Sequence, residues 1–366
     1  MVHTTDADVS GSTIATTTDR QLVEASKCSE ASSITEEATA YGLSCVRQSL
    51  EKRNISAGAA TIIMASWRQS TKRQYRTYTR RWFQYCSKIK ADPIYPDITQ
   101  VLDFLTELFH SGISYSALNT ARSALSALCS TKQHMTVGAH PLVVRFMKGV
   151  FNLRPTVSRY RHVWDVRKVL NYLKTCSPVV ELSLKTLTLK LVMLLALVTA
   201  ARSQSLHLLD LSSMTTEESS YTFIFTGLLK QSRPGYVNPV VTLRPYTPDK
   251  LLCVCDTLKE YLSRTENFRD NETKLFISYV KPHKAVSKAS ISHWIREVMT
   301  RSGIDTDKFK AHSVRAVATS RAKQSFVPIE HILATAGWSS LCTFAKFYDK
   351  PTATDNDLFA HSVLKA

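Results

Sequence analysis

Along residues 61–135 apolar side chains recur at helical spacing. Between Thr71 and Lys90, Tyr75, Tyr78, Trp82, Phe83 and Cys86 share one face and predict a helix. Thr99 is placed to cap a second helix, with Val101, Leu102, Leu105, Leu108 and Phe109 inward and Gly112 to stop it. A third helix follows Ser116, with Leu118, Ala121, Leu125 and Leu128 on its core face. From Trp164 onward the spacing predicts helices over 165–175, 186–199, 250–264, 288–302 and 311–323. Between them Tyr221–Phe225 and Val240–Leu243 alternate like strands, separated by a turn at Arg233-Pro234-Gly235. Leu275–Tyr279 reads as a third strand. The predicted fold class is mainly α with a small antiparallel sheet: an all-α domain followed by an α+β domain.

The periodicity lapses at the start and in the middle of the chain. Residues 1–40 are Ser/Thr-rich and acidic, which predicts a disordered tail reaching residue 58, with room for a short helix around Ala38–Arg53. Residues 145–174 hold the bases Arg145, Lys148, Arg154, Arg159, Arg161, Arg167, Lys168 and Lys174 against one acid, Asp165. Around Arg154-Pro155 this stretch reads as extended. The expected order is a tail (1–58), a helical domain (59–140), a basic linker (141–163), a larger domain (164–350) and a C-terminal tail (351–366).

Composition narrows the function. With 366 residues, 44% of them apolar, the chain can bury two cores, while 10 Gly and 12 Pro exclude collagen-like or linker-dominated architectures. The most apolar run, Leu191–Ala201, is too short to cross a bilayer and ends at Arg202. The N-terminus lacks a charged-then-apolar signal pattern, so neither secretion nor a membrane location is expected. The eight cysteines are scattered without a CxxC pair, which argues for reduced thiols and against a metal site. The formal charge is +17. Residues 1–40 carry seven acids and two bases, leaving +22 on the other 326 residues. A body this basic points to a polyanion, nucleic acid first. The helix over 71–90 concentrates Lys72, Arg73, Arg76, Arg80 and Arg81 beside aromatics and contains no acid. Those bases, with Arg154, Arg159 and Arg161, are the candidate DNA contacts.

Several polar residues of the second domain have bland readings one at a time. Arg202 at the end of an apolar helix suits the helix dipole, a hairpin lysine such as Lys230 is ordinarily solvated, and His312 and Arg315 simply share a helix face. Trp338 and Tyr348 fit core packing. Their order is more specific. Thr199-Ala200-Ala201-Arg202 with Leu206, Leu209 and Leu211, then Lys230, Ala311-His312-Ser313-Val314-Arg315, and Ala336-Gly337-Trp338 running to Phe347-Tyr348 resemble the catalytic boxes of the tyrosine recombinase (phage-integrase) superfamily. Residues 61–135 resemble that family's core-binding domain, so the likeness covers roughly 300 residues. Leu228–Gly235 and Trp338–Tyr348 look most like recombinases of eukaryotic DIRS-type and Crypton-type mobile elements.

The resemblance implies a core-binding domain and a tyrosine-recombinase catalytic domain clamping duplex DNA. It implies strand cleavage and rejoining through a 3′-phosphotyrosyl intermediate, with no metal, ATP or small-molecule cofactor. Arg202 and Arg315 would clamp the phosphate as planar permanent cations. His312 would donate to the phosphate or handle the nucleophile's proton, Trp338 would donate one hydrogen bond, Lys230 would protonate the leaving oxygen, and Tyr348 would attack. The chain departs from the family at two places. Tyr348 lies ten residues after Trp338, and the commoner spacing would land on Phe347. Ser205 stands where an acid is common. The expected partners are double-stranded DNA and three further copies, a homotetramer on two sites, and the expected location is the nucleus if the source is eukaryotic and the cytoplasm otherwise. Val363, Leu364, Leu358 and Phe359 are candidate contacts to a neighbouring subunit. The alternatives are a catalytically silent DNA-binding protein on the same scaffold, for which Ser205 and the shifted tyrosine speak and against which the intact Arg202, Lys230, His312, Arg315 and Tyr348 speak, and a topoisomerase-like relaxing enzyme.

Overall fold

The computed structural model describes residues 44, 46–129, 135–156, 160–351 and 363–364. The chain divides after position 157 into two compact units.

The first unit is helical: α1 (Ala57–Ala65), α2 (Gln69–Ile89), α3 (Ile98–His110), α4 (Tyr115–Leu128) and α5 (Pro141–Leu153). Trp82 is the largest side chain in its core, packed with Leu105, Leu118, Leu125 and Leu128. Its indole N–H donates to the Pro93 carbonyl at 2.9 Å, so the buried ring leaves no polar group unpaired. The caps lie two residues earlier than the expected Thr99 and Ser116. Asp97 and Gln100 form a reciprocal capping box at α3, and the Ser114 hydroxyl accepts from the Ala117 amide at α4. Thr99 and Ser116 lie inside the first turns.

Two segments expected outside this domain help to build its core. Residues 46–50 are helical, with Val46 and Leu50 buried, and α5 buries Val143, Met147 and Val150. The spacing of those three is helical, but the density of bases from Arg145 onward obscured it. The basic stretch read as a linker from 141 is therefore α5 over its first thirteen residues.

The second unit contains α6 (Val166–Thr175), α7 (Leu184–Val198), α8 (Ser203–His207), α9 (Val254–Thr265), α10 (Lys288–Arg301), α11 (Ser313–Gln324), α12 (Ile329–Ala336) and α13 (Leu341–Phe347). Helix α7 is apolar on nearly every side because it runs through the centre, with α9, α10 and α11 packed around it. Strands β1 (Met214–Glu217), β2 (Ser220–Ile224) and β3 (Val240–Leu243) form an antiparallel sheet in that order. Phe223, opposite Met214 and Val241, turns into the core.

The fold class is the expected one, with one strand misplaced. Leu275, Phe276 and Ile277 are buried, but the segment joins no sheet and makes an isolated bridge from Ile277 to Ala285. The third strand is Met214–Glu217 instead. Its side chains are half-buried or exposed, so it has no apolar alternation to read and is held through its backbone pairing with β2. Among the described residues no helix is long and apolar enough to cross a membrane.

Candidate active site

His312 is the N-cap of helix α11 and Arg315 follows three residues later, so the two face the same region. Trp164 fixes that end of the helix, its indole N–H donating to the Ser313 hydroxyl at 2.9 Å. Arg202 enters from the end of α7. The chain leaves that helix through Ala200, which has a positive φ of 46°, and Arg202 then occupies the N-cap of α8.

Arg315 joins these pieces. It is 3% exposed, and one terminal nitrogen donates to the Ala200 carbonyl at 2.7 Å while the other donates to the Ala336 carbonyl. The guanidinium therefore ties the turn before Arg202 to the end of α12. Gly337 follows with a φ of 64°, and a Cβ there would meet Gln231 and Tyr236 at 3.2 Å. That tight turn delivers Trp338, 9% exposed, whose ring centre lies 4.3 Å from the Arg315 guanidinium carbon.

Tyr348 completes the cluster from the C-cap of α13. Its ring stands 4.4 Å from that of Trp338, centre to centre, and its hydroxyl lies 3.0 Å from His312 Nε2. Phe347, favoured by the commoner family spacing, is 55% exposed. The helix ends between the two residues, so they diverge and only the phenol reaches the cluster.

Lys230 lies in the loop between β2 and β3 and is exposed. The loop leans on the Gly337 turn, with Gln231 donating to the Ala336 carbonyl at 3.5 Å and the Tyr236 hydroxyl to the Gly337 carbonyl at 3.4 Å. Gln231 and Tyr236 are supporting residues that single-residue reasoning missed. Their proximity to Lys230 in sequence was the available signal.

The electrostatics are one-sided. Loss of solvent around the ring, then the charges of Arg202, Arg315 and Lys230, push the His312 pKa down to about 4. Its outer side is open to water, which moderates the shift, and the direction gives a neutral imidazole at pH 7. Burial and the neighbouring Arg202 lower Arg315 to about 10, which leaves it cationic. Arg202 Nη1, Arg315 Nε and Trp338 Nε1 are buried donors with no hydrogen-bond partner among the described residues. Buried donors without partners beside the charges of Arg202, Arg315 and Lys230 suit an oxyanion, while Gln231 Oε1 is an acceptor nearby with no partner among the described residues.

Ser205 is half-buried and lines a cavity of about 300 Å³ on the side of Arg315 toward the sheet, with Thr199, Gln231 and Thr335. No acid lines it. Among the described residues no cluster of His, Cys, Asp or Glu is arranged to hold a metal.

The expected DNA contacts fare unequally. On α2, Arg73, Arg80 and Arg81 are exposed and Lys72 and Arg76 half-buried, while Trp82 and Cys86 turn inward. Arg161 is exposed and Arg159 lies outside the described residues. Arg154 has another task. Its two terminal nitrogens donate to the Ile113 and Phe109 carbonyls at 2.9 and 3.2 Å, and its guanidinium lies 4.3 Å from the Phe109 ring centre. It closes the C-terminal end of α3, where orphan carbonyls attract a cation.

The model of the phage integrase family matches residues 164–354, more than half of the chain. The chain belongs to the phage integrase family. Every member of the cluster from Arg202 to Tyr348 falls within the matched segment of this integrase-family protein. No curated protein sequence matches it significantly. Among solved structures it resembles the XerH site-specific recombinase bound to palindromic difH substrate in a post-cleavage complex, with TM-score 0.56 and 16% identity over 81% of this chain and 80% of that one. It also resembles the Tn1549 transposon integrase in complex with circular intermediate DNA, with TM-score 0.52 and 11% identity over 88% and 98%. The lambda integrase (75–356) dimer bound to a COC′ core site gives TM-score 0.50 and 16% identity over 80% and 93%. At these identities the likeness is one of fold.

Proposed function

We propose that this integrase-family protein cleaves and rejoins duplex DNA through Tyr348. The observation that carries the reading is the 3.0 Å contact between the Tyr348 hydroxyl and His312 Nε2, beside three buried donors without partners among the described residues. A phenol ordinarily ionises near pH ~10, so attack at pH 7 needs a proton acceptor within hydrogen-bond reach. Neutral His312, protonated on Nδ1, offers Nε2 for that purpose.

The step is an exchange of one phosphate ester for another. The Tyr348 oxygen forms a bond to phosphorus as its proton passes to His312 Nε2. The bond from phosphorus to the 5′ oxygen breaks, and that oxygen takes a proton from Lys230. Arg202, Arg315 and the Trp338 indole N–H donate to the non-bridging oxygens while charge builds on them. Attack by a 5′ hydroxyl on the phosphotyrosine reverses the sequence and reseals a strand, so no external energy source enters.

Arg73, Arg80, Arg81 and Arg161, with Lys72 and Arg76, are assigned to the DNA backbone. Two-site exchange calls for four protomers, and a mobile-element origin fits the stretches Leu228–Gly235 and Trp338–Tyr348.

The test is to incubate the full chain with genomic DNA of its source in chelator, denature, and sequence DNA that remains attached to protein. Adducts from the wild type that vanish with Tyr348→Phe support the reading, and their ends give the target site. Adducts that persist in Tyr348→Phe refute Tyr348 as the nucleophile. Salt-sensitive DNA binding without adducts would instead support a silent DNA-binding protein, and relaxation of plasmid by a single protomer a topoisomerase-like activity.

A further inference from the structure

Helix α11 supplies the phosphate-side groups His312 and Arg315, and the same helix also holds the backbone of the nucleophile. The Ser320 hydroxyl is 2% exposed. It donates to the Tyr348 carbonyl at 2.5 Å and accepts from the Lys350 amide at 3.2 Å. Both hydrogen-bonding capacities of one buried hydroxyl are thus used to bridge residues 348–350, immediately after α13 has ended. Lys323, one turn further along, forms an ion pair with Asp349. Beyond it the Pro351 carbonyl accepts from the Val163 amide at 3.0 Å.

We propose that Ser320 is a positioning residue that sets the Tyr348 hydroxyl against His312 by clamping the Tyr348 backbone to the helix carrying His312. This rests on the proposed role of Tyr348 as nucleophile. The physical case is one of leverage. Tyr348 sits at the C-cap of α13, with φ −127° and ψ −19°; its amide still donates to the Phe344 carbonyl at 2.8 Å, but its own carbonyl lies past the helix ladder and is taken by Ser320 instead. Its backbone is referenced to α11 at Ser320, and its phenol returns to the start of the same helix at His312. Eight residues of helix separate these two points, a rigid spacing of about 12 Å. One element therefore measures out the distance between nucleophile backbone and proton acceptor. Thr319, its neighbour, shows the contrast: its hydroxyl bonds back to the Arg315 carbonyl within the same helix and clamps nothing.

The experiment compares Ser320→Ala and Ser320→Thr in the full-length protein. With oligonucleotide duplexes carrying the ends recovered from wild-type adducts, Ser320→Ala is expected to slow adduct formation about tenfold to a hundredfold, as for a misplaced reacting group. Its DNA affinity stays within about twofold of wild type, and Ser320→Thr, which keeps the hydroxyl, recovers most of the rate. Affinity and rate falling together, or Ser320→Ala reacting as fast as wild type, would overturn the proposal.

A second readout needs no DNA. In protein carrying ¹³C-labelled tyrosine, the Tyr348 signal, identified by its loss in Tyr348→Phe, should shift when His312 is replaced by Asn. In the Ser320→Ala background that coupling should disappear, and if it persists unchanged the clamp is refuted. Absent adducts, with coupling present in the wild type and lost in Ser320→Ala, would count against the nucleophile assignment and leave the clamp standing.

Discussion

Replacing Arg315 by Lys separates the two tasks that the site gives to its arginines. The charge is retained, so any loss reports geometry. Arg315 ties the Ala200 and Ala336 carbonyls together and stacks against Trp338. Hydrogen bonds to charged groups are worth about 1.5–3 kcal/mol each. A single ammonium reaching one carbonyl leaves the other unsatisfied, and loss of the stacked guanidinium adds about 1 kcal/mol. The expected cost is thus about 2.5–4 kcal/mol, or a Tm lower by roughly 5–16 °C for a unit of this size. Arg202→Lys is the control. Arg202 Nη1 has no partner to lose, so its unfolding free energy should stay within about 0.5 kcal/mol of wild type, while adduct formation falls as far as in Arg315→Lys. Urea and thermal unfolding followed by tryptophan fluorescence measure both. An Arg315→Lys protein as stable as wild type, or an Arg202→Lys protein equally destabilised, would refute the division between tie and clamp.

Other consequences follow from the same geometry. The His312 ring should titrate by NMR with a midpoint below the ordinary 6.5; a depressed value means the neutral acceptor is present above the midpoint and is lost only as pH falls through it, so a midpoint at 6.5 or above would contradict the electrostatic reading. Gly337→Ala forces a side chain onto a φ of 64° and against Gln231 and Tyr236, and should destabilise the second unit by about 1–2 kcal/mol, measured by urea unfolding. Arg154→Ala should destabilise the first unit by about 2–3 kcal/mol without changing the salt slope of DNA binding, whereas Arg80→Ala should lower that slope by about one. Asp210 is pushed up by burial but held down, to about 2, by Ser212, Lys274 and Thr273. Its depressed pKa stabilises the fold above the ordinary carboxylate range and is lost as pH falls toward 2, so Asp210→Asn should cost about 2 kcal/mol at pH 7 and flatten the acid limb of a denaturation curve.

Most elements were legible because their period survives local reading. The helices expected at 165–175, 186–199, 250–264, 288–302 and 311–323 appear within a few residues of those bounds. Misreadings occurred where a local signal competed with a distant one. Polar β1 pairs with β2 through its backbone and leaves no pattern. The bases of α5 masked three core residues, and the carbonyl partners of Arg154, about forty residues earlier, left no trace in its local sequence.

The chain by itself determined the helical periods, the basic body and the ordered set from Arg202 to Tyr348, since each depends on residue type and spacing. Residue chemistry alone prefers Tyr348 to Phe347, since only the former carries a hydroxyl; only the tertiary structure decided where that phenol lies, which depends on where α13 ends and on Trp338 offering a surface for its ring. The same holds for the lowered pKa of His312, which comes first from burial of the ring and then from the charges of Arg202, Arg315 and Lys230 around it. Ser320 gave no signal at all. A serine inside a helix is ordinary, and it acquires a role when residues 348–350 return to its hydroxyl.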